Sequence, residues 1–221
     1  MAIELTCDAI LFDLDGVLID SSACIARNWA VWAAPHGIAV DAIMRVAHGV
    51  RSIETIRAVA PHLDAQAEAD RLTALEVADT DGVVAMPGAH ALLASLPDGA
   101  WTIVTSGGRD LAAARLAAVG LPIPAQIVTA DDVTQGKPAP EPYLLGAQRL
   151  GIAPERCLVV EDAPAGIEAG RSAGIRVLGI ASTHDRADVL ARGVTAAVDR
   201  LADLRVVETA GPYRLMVRSN P

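Results

Sequence analysis

The sequence predicts an α/β protein, a Rossmann-like doubly wound parallel sheet with an inserted α-helical cap. Three observations predict it. Val-, Ile- and Leu-rich runs alternate with helical patterns over the second half of the chain, the signature of a parallel sheet covered on both faces. One more apolar run, Ala9-Ile10-Leu11-Phe12, stands alone near the start and needs the same sheet to bury it. Between them, from about Ser22 to Thr80, apolar residues fall at helical spacing and no convincing strand occurs.

Taken in order, the first strand ends in Asp13-Leu14-Asp15-Gly16. Aspartate is depleted in strands, so two at the end of an apolar run need a reason. Residues two apart on an extended chain share a face, so both carboxylates can point into one crevice. The helical block follows, broken at Pro35-His36-Gly37, Ala47-His48-Gly49 and Pro61-His62. Ile53, Ile56, Val59 and Ala60 mark one of its apolar faces. The connections 16–21 and 81–85 form a hinge, which divides the chain into a core of residues 1–16 and 86–221 and a cap of residues 17–85. Beyond Pro87-Gly88, helices are expected at 89–95, 110–119, 141–150 and 164–173, with Gly120, Gly151 and Gly174 as C-terminal caps. Strands are expected at 101–106, 126–129, 157–162 and 176–180. The tail, 204–219, reads as a hairpin on the sheet edge, turning around Ala210-Gly211-Pro212.

Composition narrows the function. The chain has 221 residues, 52% of them hydrophobic but only 3% aromatic, so its core is aliphatic. The net charge of −9 and the lack of any Lys/Arg run speak against nucleic acid as a partner. No apolar run suits a membrane span or a signal peptide. Cys7, Cys24 and Cys157 have no metal or pair spacing and read as reduced, buried thiols. A monomer or small homo-oligomer of the cytoplasm is expected.

Chemistry concentrates at the strand ends. Asp13 and Asp15, Thr105 and Ser106, Asp131 and Asp132, and Glu161 and Asp162 all close apolar runs. In a doubly wound sheet these ends converge on a crevice where ligands bind. A cluster of Asp13, Asp15, Glu161 and Asp162 repels itself strongly at reduced dielectric, so it must hold protons or a cation. Oxygen ligands without His or Cys suit Mg²⁺. Lys137, in QGKPAPEPY, is placed to reach the carboxylates and a bound anion. Thr105-Ser106-Gly107-Gly108 supplies hydroxyls and a backbone that a phosphate can approach closely.

FDLDGVLIDS, IVTS, Lys137 in GKPAPEPY and VVEDAPAGIEAG, in this order and strand context, resemble the four motifs of the haloacid dehalogenase superfamily of phosphatases. The resemblance covers almost the whole chain, the helical cap included. HGVRSIETIR, TSGGRDLA and TADDVTQGKPAPEPYL are similar to its glycerol-phosphate and 2-deoxyglucose-6-phosphate phosphatases. The resemblance implies a Mg²⁺-dependent phosphatase acting on a small phosphorylated sugar or polyol. It implies Asp13 as the nucleophile that becomes an aspartyl-phosphate, and Asp15 as acid and base. Asp13, the Asp15 carbonyl and Asp162 would ligate Mg²⁺, with Glu161 behind them or acting through water. Thr105, Ser106 and Gly107 would hold the phosphoryl oxygens, and Lys137 would neutralise charge. In the cap, His48, Gly49 and Arg51 are candidates for substrate contact. Arg109 reads rather as a surface residue, and Trp29 and Trp32 as cap core. A β-phosphoglucomutase-like transferase and a non-catalytic phospho-ligand module are the rival readings.

Overall fold

A computed structural model describes residues 4–209 and 215–219. The chain opens with β1 (Glu4–Cys7) and β2 (Ala9–Phe12) and leaves through the short strand β3 (Ile19–Asp20). Four helices follow: α1 (Ser22–Ala33), α2 (Val40–Ala47), α3 (Ser52–Val59) and α4 (Ala65–Ala78). The chain returns through β4 (Val84–Ala85), which pairs antiparallel with β3. It then alternates α5 (Ala89–Ala94), β5 (Trp101–Ile103), α6 (Arg109–Val119), α7 (Glu141–Leu150), β6 (Cys157–Glu161), α8 (Pro164–Ser172), β7 (Arg176–Ile180), α9 (Arg186–Ala191) and β8 (Ala196–Val198). The last elements are β9 (Leu204–Thr209) and β10 (Leu215–Ser219).

The central sheet runs β5-β2-β6-β7-β8, with every pair parallel. All of β2 and all of β6 are buried, as expected for central strands covered on both faces. β2 connects onward to β5 on one side, whereas β6 leads to β7 on the other. The crevice beyond the ends of β2 and β6 is therefore the switch point at which open sheets bind ligands. One core layer joins Phe12, Ile103, Val160 and Leu178; the other joins Leu11, Tyr143, Val159 and Ile167.

The inserted helices bury a core of their own, in which Trp29 and Trp32 pack edge to face at 5.3 Å against Ile43, Ile56 and Leu72. Gly120 and Gly151 end α6 and α7 in the left-handed conformation, and Gly174 takes it two residues past the end of α8.

Two expectations need correction. Residues 126–129 form a single bridge, Val104 to Val128, rather than a strand. Pro122 and Pro124 remove donors just ahead of it, and a short 3₁₀ turn over Ala130–Asp132 follows at once. The tail strands do pair antiparallel, but with β1 in a separate three-stranded sheet rather than on the central edge. The expected turn at Ala210-Gly211-Pro212 lies outside the described residues. β1 and β8 went unpredicted because each is too short to show a period. No helix among the described residues is long and apolar enough to cross a membrane.

Candidate active site

The site grows from three neighbouring strand ends. The ladder continues one residue past β2, with the Asp13 amide donating to the Val160 carbonyl at 3.0 Å. That bond fixes Asp13 beside the end of β6, where Glu161 and Asp162 follow. Lys137 reaches in from the segment ahead of α7. Its Nζ donates to Asp13 Oδ1 at 2.6 Å, to Glu161 Oε1 at 2.8 Å and to the Val104 carbonyl at 3.0 Å. All three ammonium donors are thus used. Lys137 is only 1% exposed, so its charge is retained by these partners alone. Burial opposes that charge, but Asp13 and Glu161 outweigh it and hold the ammonium above the ordinary lysine range.

Glu161 is fully committed. Oε1 accepts from Lys137 and from the Tyr143 hydroxyl at 2.9 Å. Oε2 accepts from the amides of Asp162 and Ala163 at 2.9 and 3.0 Å. These four bonds fill the acceptor capacity of a carboxylate. Glu161 therefore braces Lys137 and the turn into α8, with no lone pair left for a cation. Gly166 makes room for it: a Cβ there would lie 1.5 Å from Glu161 Oε1. In an open helix Gly→Ala gains roughly 0.5–1 kcal/mol. Here overpacking, which costs roughly 1–3 kcal/mol, outweighs that gain. Gly166→Ala is expected to lower the melting temperature and to lower activity by moving Glu161 off Lys137, measured by thermal unfolding beside turnover.

Asp13, Glu161 and Asp162 each present a carboxylate oxygen within 4.8 Å of the others. Burial raises Asp13 to about 7 despite Lys137. Burial, with Glu161 and Asp13 nearby, pushes Asp162 well above the carboxylate range. Fully ionised, the three buried carboxylates would exceed the one ammonium by two negative charges, the charge that one divalent cation supplies. Asp162 Oδ1 is buried with no hydrogen-bond partner among the described residues, while Oδ2 accepts from Thr183. An orphan buried oxygen in an all-oxygen cluster fits a hard cation such as Mg²⁺.

Above the cluster lies a cavity of about 100 Å³, lined by Asp13, Asp15, Thr105, Ser106, Gly107 and Asp162 from below and by His48, Gly49, Trp29 and Met44 from the helical insertion. Thr105 sits just past β5, where its hydroxyl accepts from the Gly107 amide at 3.1 Å. Ser106 Oγ donates to the Gly49 carbonyl at 2.8 Å, which ties the insertion to the floor. Gly49 has a positive φ of 74°, and a Cβ there would meet Ala163 at 2.8 Å. Only glycine lets the loop come this close. The His48 ring packs edge to face on His184 at 5.6 Å; burial, helped by His184, lowers its pKa.

Arg51 goes elsewhere. It pairs with Glu54 and donates to the Val133 and Thr134 carbonyls, lining a separate groove rather than the cavity over Asp13. Asp131 and Asp132 also leave the site. Asp131 accepts from the Arg109 amide, and Asp132 accepts from Arg149, Arg109 and Thr129. Sequence reasoning did not assign Tyr143, Thr183, Glu76 or Arg115. Arg115 alone carried a signal, as the one charge at the buried spacing Leu111, Ala112, Arg115, Leu116 of α6. Cys7, Cys24 and Cys157 are buried free thiols, with Cys7 and Cys157 pushed up to about 12 by burial.

A doubly wound sheet, a carboxylate cluster with a buried lysine at its switch point and an inserted helical cover together define a class of α/β hydrolases. The haloacid dehalogenase-like hydrolase family model matches residues 7–174, and the chain belongs to that family. Hexitol phosphatase A of Escherichia coli (strain K12) is 45% identical over 184 residues, covering 81% of this chain and 85% of that protein. Glycerol-1-phosphate phosphohydrolase 2 of Saccharomyces cerevisiae is 36% identical over 217 residues, covering 92% and 86%. The crystal structure of a hydrolase from Pseudomonas syringae matches with a TM-score of 0.80 at 27% identity, over 89% of this chain and 95% of that one.

Proposed function

We propose that this chain is a phosphatase that hydrolyses phosphate monoesters of small sugars or polyols through an aspartyl-phosphate on Asp13. The observation that carries this reading is the Asp13 carboxylate, fixed by Lys137 at the floor of a cavity that Asp15 also lines. The curated relatives named for hexitol phosphate and glycerol 1-phosphate support the substrate class.

Asp13 attacks phosphorus as the bond to the leaving oxygen breaks, and Asp15 gives that oxygen its proton. Asp15 then takes a proton from the water that attacks the aspartyl-phosphate, which frees phosphate and restores Asp13. Lys137 opposes the charge that gathers on Asp13 and on the phosphoryl group. Thr105, Ser106 and Gly107 shape the phosphoryl seat. Asp13 and Asp162, with the Asp15 carbonyl, would hold Mg²⁺, and Glu161 would brace them from behind. Bound there, Mg²⁺ supplies positive charge beside the phosphoryl oxygens. Residues 17–85 act as the cap over a core of residues 1–16 and 86–221, and His48 and Gly49 face the leaving group. Cap closure excludes bulk water. A cytoplasmic metabolic phosphatase fits these parts.

A phosphate-release screen over hexitol, glycerol and hexose phosphates, with Mg²⁺ and with chelator, tests this. Release from polyol or sugar phosphates that chelator abolishes is expected. Mg²⁺ at about a hundredfold over its dissociation constant should stabilise the fold by roughly 2.7 kcal/mol. Full activity in chelator contradicts the metal. Isomerisation of a hexose 1-phosphate without phosphate release contradicts the hydrolase.

A further inference from the structure

We infer that Arg115, gripped by Glu76 of α4, is the positioning residue that aims Asp15 and makes its proton transfer depend on the cap. The inference deepens the phosphatase reading and rests on it. Arg115 lies on α6 of the core and is 3% exposed. Its Nη1 donates to Asp15 Oδ1 at 2.9 Å, and its Nη2 donates to Glu76 Oε1 at 2.9 Å. Its Nε is buried with no acceptor among the described residues, so these two carboxylates hold the guanidinium. The planar fork sets the direction of both pairs, which an ammonium would not do. Glu76 is itself buried and has no other recorded hydrogen bond among the described residues. One carboxylate thus comes from the chain just past β2, the other from the helical insertion, and Arg115 joins them across the cavity wall.

The geometry has a direct consequence for Asp15. Oδ1 accepts from both Arg115 and the Ser21 hydroxyl, the latter at 2.5 Å. Among the described residues nothing hydrogen-bonds Oδ2, the oxygen left to carry the proton that the leaving group takes. When α4 withdraws, Arg115 loses its second anchor and the aim of Asp15 loosens. Proton donation then waits for closure, which keeps the acid from working on an open, wet site.

The test compares two esters. The glycerol of glycerol 1-phosphate leaves as an alkoxide and needs the proton. The nitrophenol of p-nitrophenyl phosphate leaves as a stable phenolate and needs it little. The comparison is made in kcat/KM, which reports the steps up to departure of the leaving group, because the later hydrolysis of the aspartyl-phosphate, with Asp15 as base, is common to both esters and lowers kcat on both. Arg115→Met is expected to lower kcat/KM for glycerol 1-phosphate by about 100-fold or more, the usual worth of general acid–base catalysis. The loss of kcat/KM on p-nitrophenyl phosphate should stay below about tenfold. Arg115→Lys should recover part of the kcat/KM on the alkyl ester. The double variant Arg115→Met/Glu76→Leu removes both buried charges, folds without an orphaned carboxylate on α4, and should show the same ester-selective defect. Equal losses of kcat/KM on both esters in the double variant, or no loss on the alkyl ester, would overturn the assignment of Arg115 alone. A wild-type enzyme that releases phosphate from neither ester would overturn the phosphatase reading itself.

Discussion

Asp13→Asn is expected to abolish phosphate release, by about 10⁴-fold or more, while the protein stays folded. Loss of a nucleophile removes the covalent route rather than one contact within it, so the effect is of the largest kind seen for single catalytic groups. The fold should tolerate the change. Asparagine keeps an oxygen for Lys137 Nζ, which also retains Glu161 and the Val104 carbonyl. The variant also removes a buried negative charge that the protein holds at some expense, since burial raises Asp13 to about 7. The melting temperature should move by less than about 4 °C, roughly 1 kcal/mol for a chain of this size. Phosphate release and thermal unfolding on the same sample separate the two effects.

Lys137→Met carries the opposite signature, with stability and activity both lost. Methionine fills the channel but leaves Asp13 and Glu161 facing each other without the ammonium between them. Removing one partner of a buried ion pair typically costs 3–5 kcal/mol, most of it from the charge left behind. Adding Asp13→Asn to Lys137→Met should return part of that stability and none of the activity. A double variant no more stable than Lys137→Met would show that packing, not charge, dominates at this position. Chemical denaturation of the three proteins decides between them.

The lysine also shows what a linear sequence can reveal. Asp13 and Glu161-Asp162 are legible because they interrupt apolar runs, and a parallel sheet must align such ends. Lys137 is legible only through that convergence, since 124 residues separate it from Asp13. The second set of site residues is hidden for a different reason. Arg115 shows only as a charge at a buried spacing of α6, and its meaning depends on Asp15 and Glu76 arriving from elsewhere. Tyr143 and Thr183 likewise acquire roles only by landing on Glu161 and Asp162. Arg51 misled in the reverse direction. It stands two residues from Gly49, which touches the floor, yet it turns to the Val133–Thr134 carbonyls instead. At the edges, a one-bridge contact at Val128 imitated a strand, and the β1–β10 pairing joins chain ends that no local period connects.

The most direct test traps the covalent intermediate. Enzyme turning over glycerol 1-phosphate or a hexitol phosphate with Mg²⁺ is acid-quenched and reduced with borohydride, which converts an aspartyl-phosphate to homoserine. The peptide carrying FDLDGVLIDS is then read by mass spectrometry. Homoserine at position 13, with Asp15 in the same peptide unchanged, is the expected result. Steady phosphate release with Asp13 recovered intact at every quench time would contradict the account.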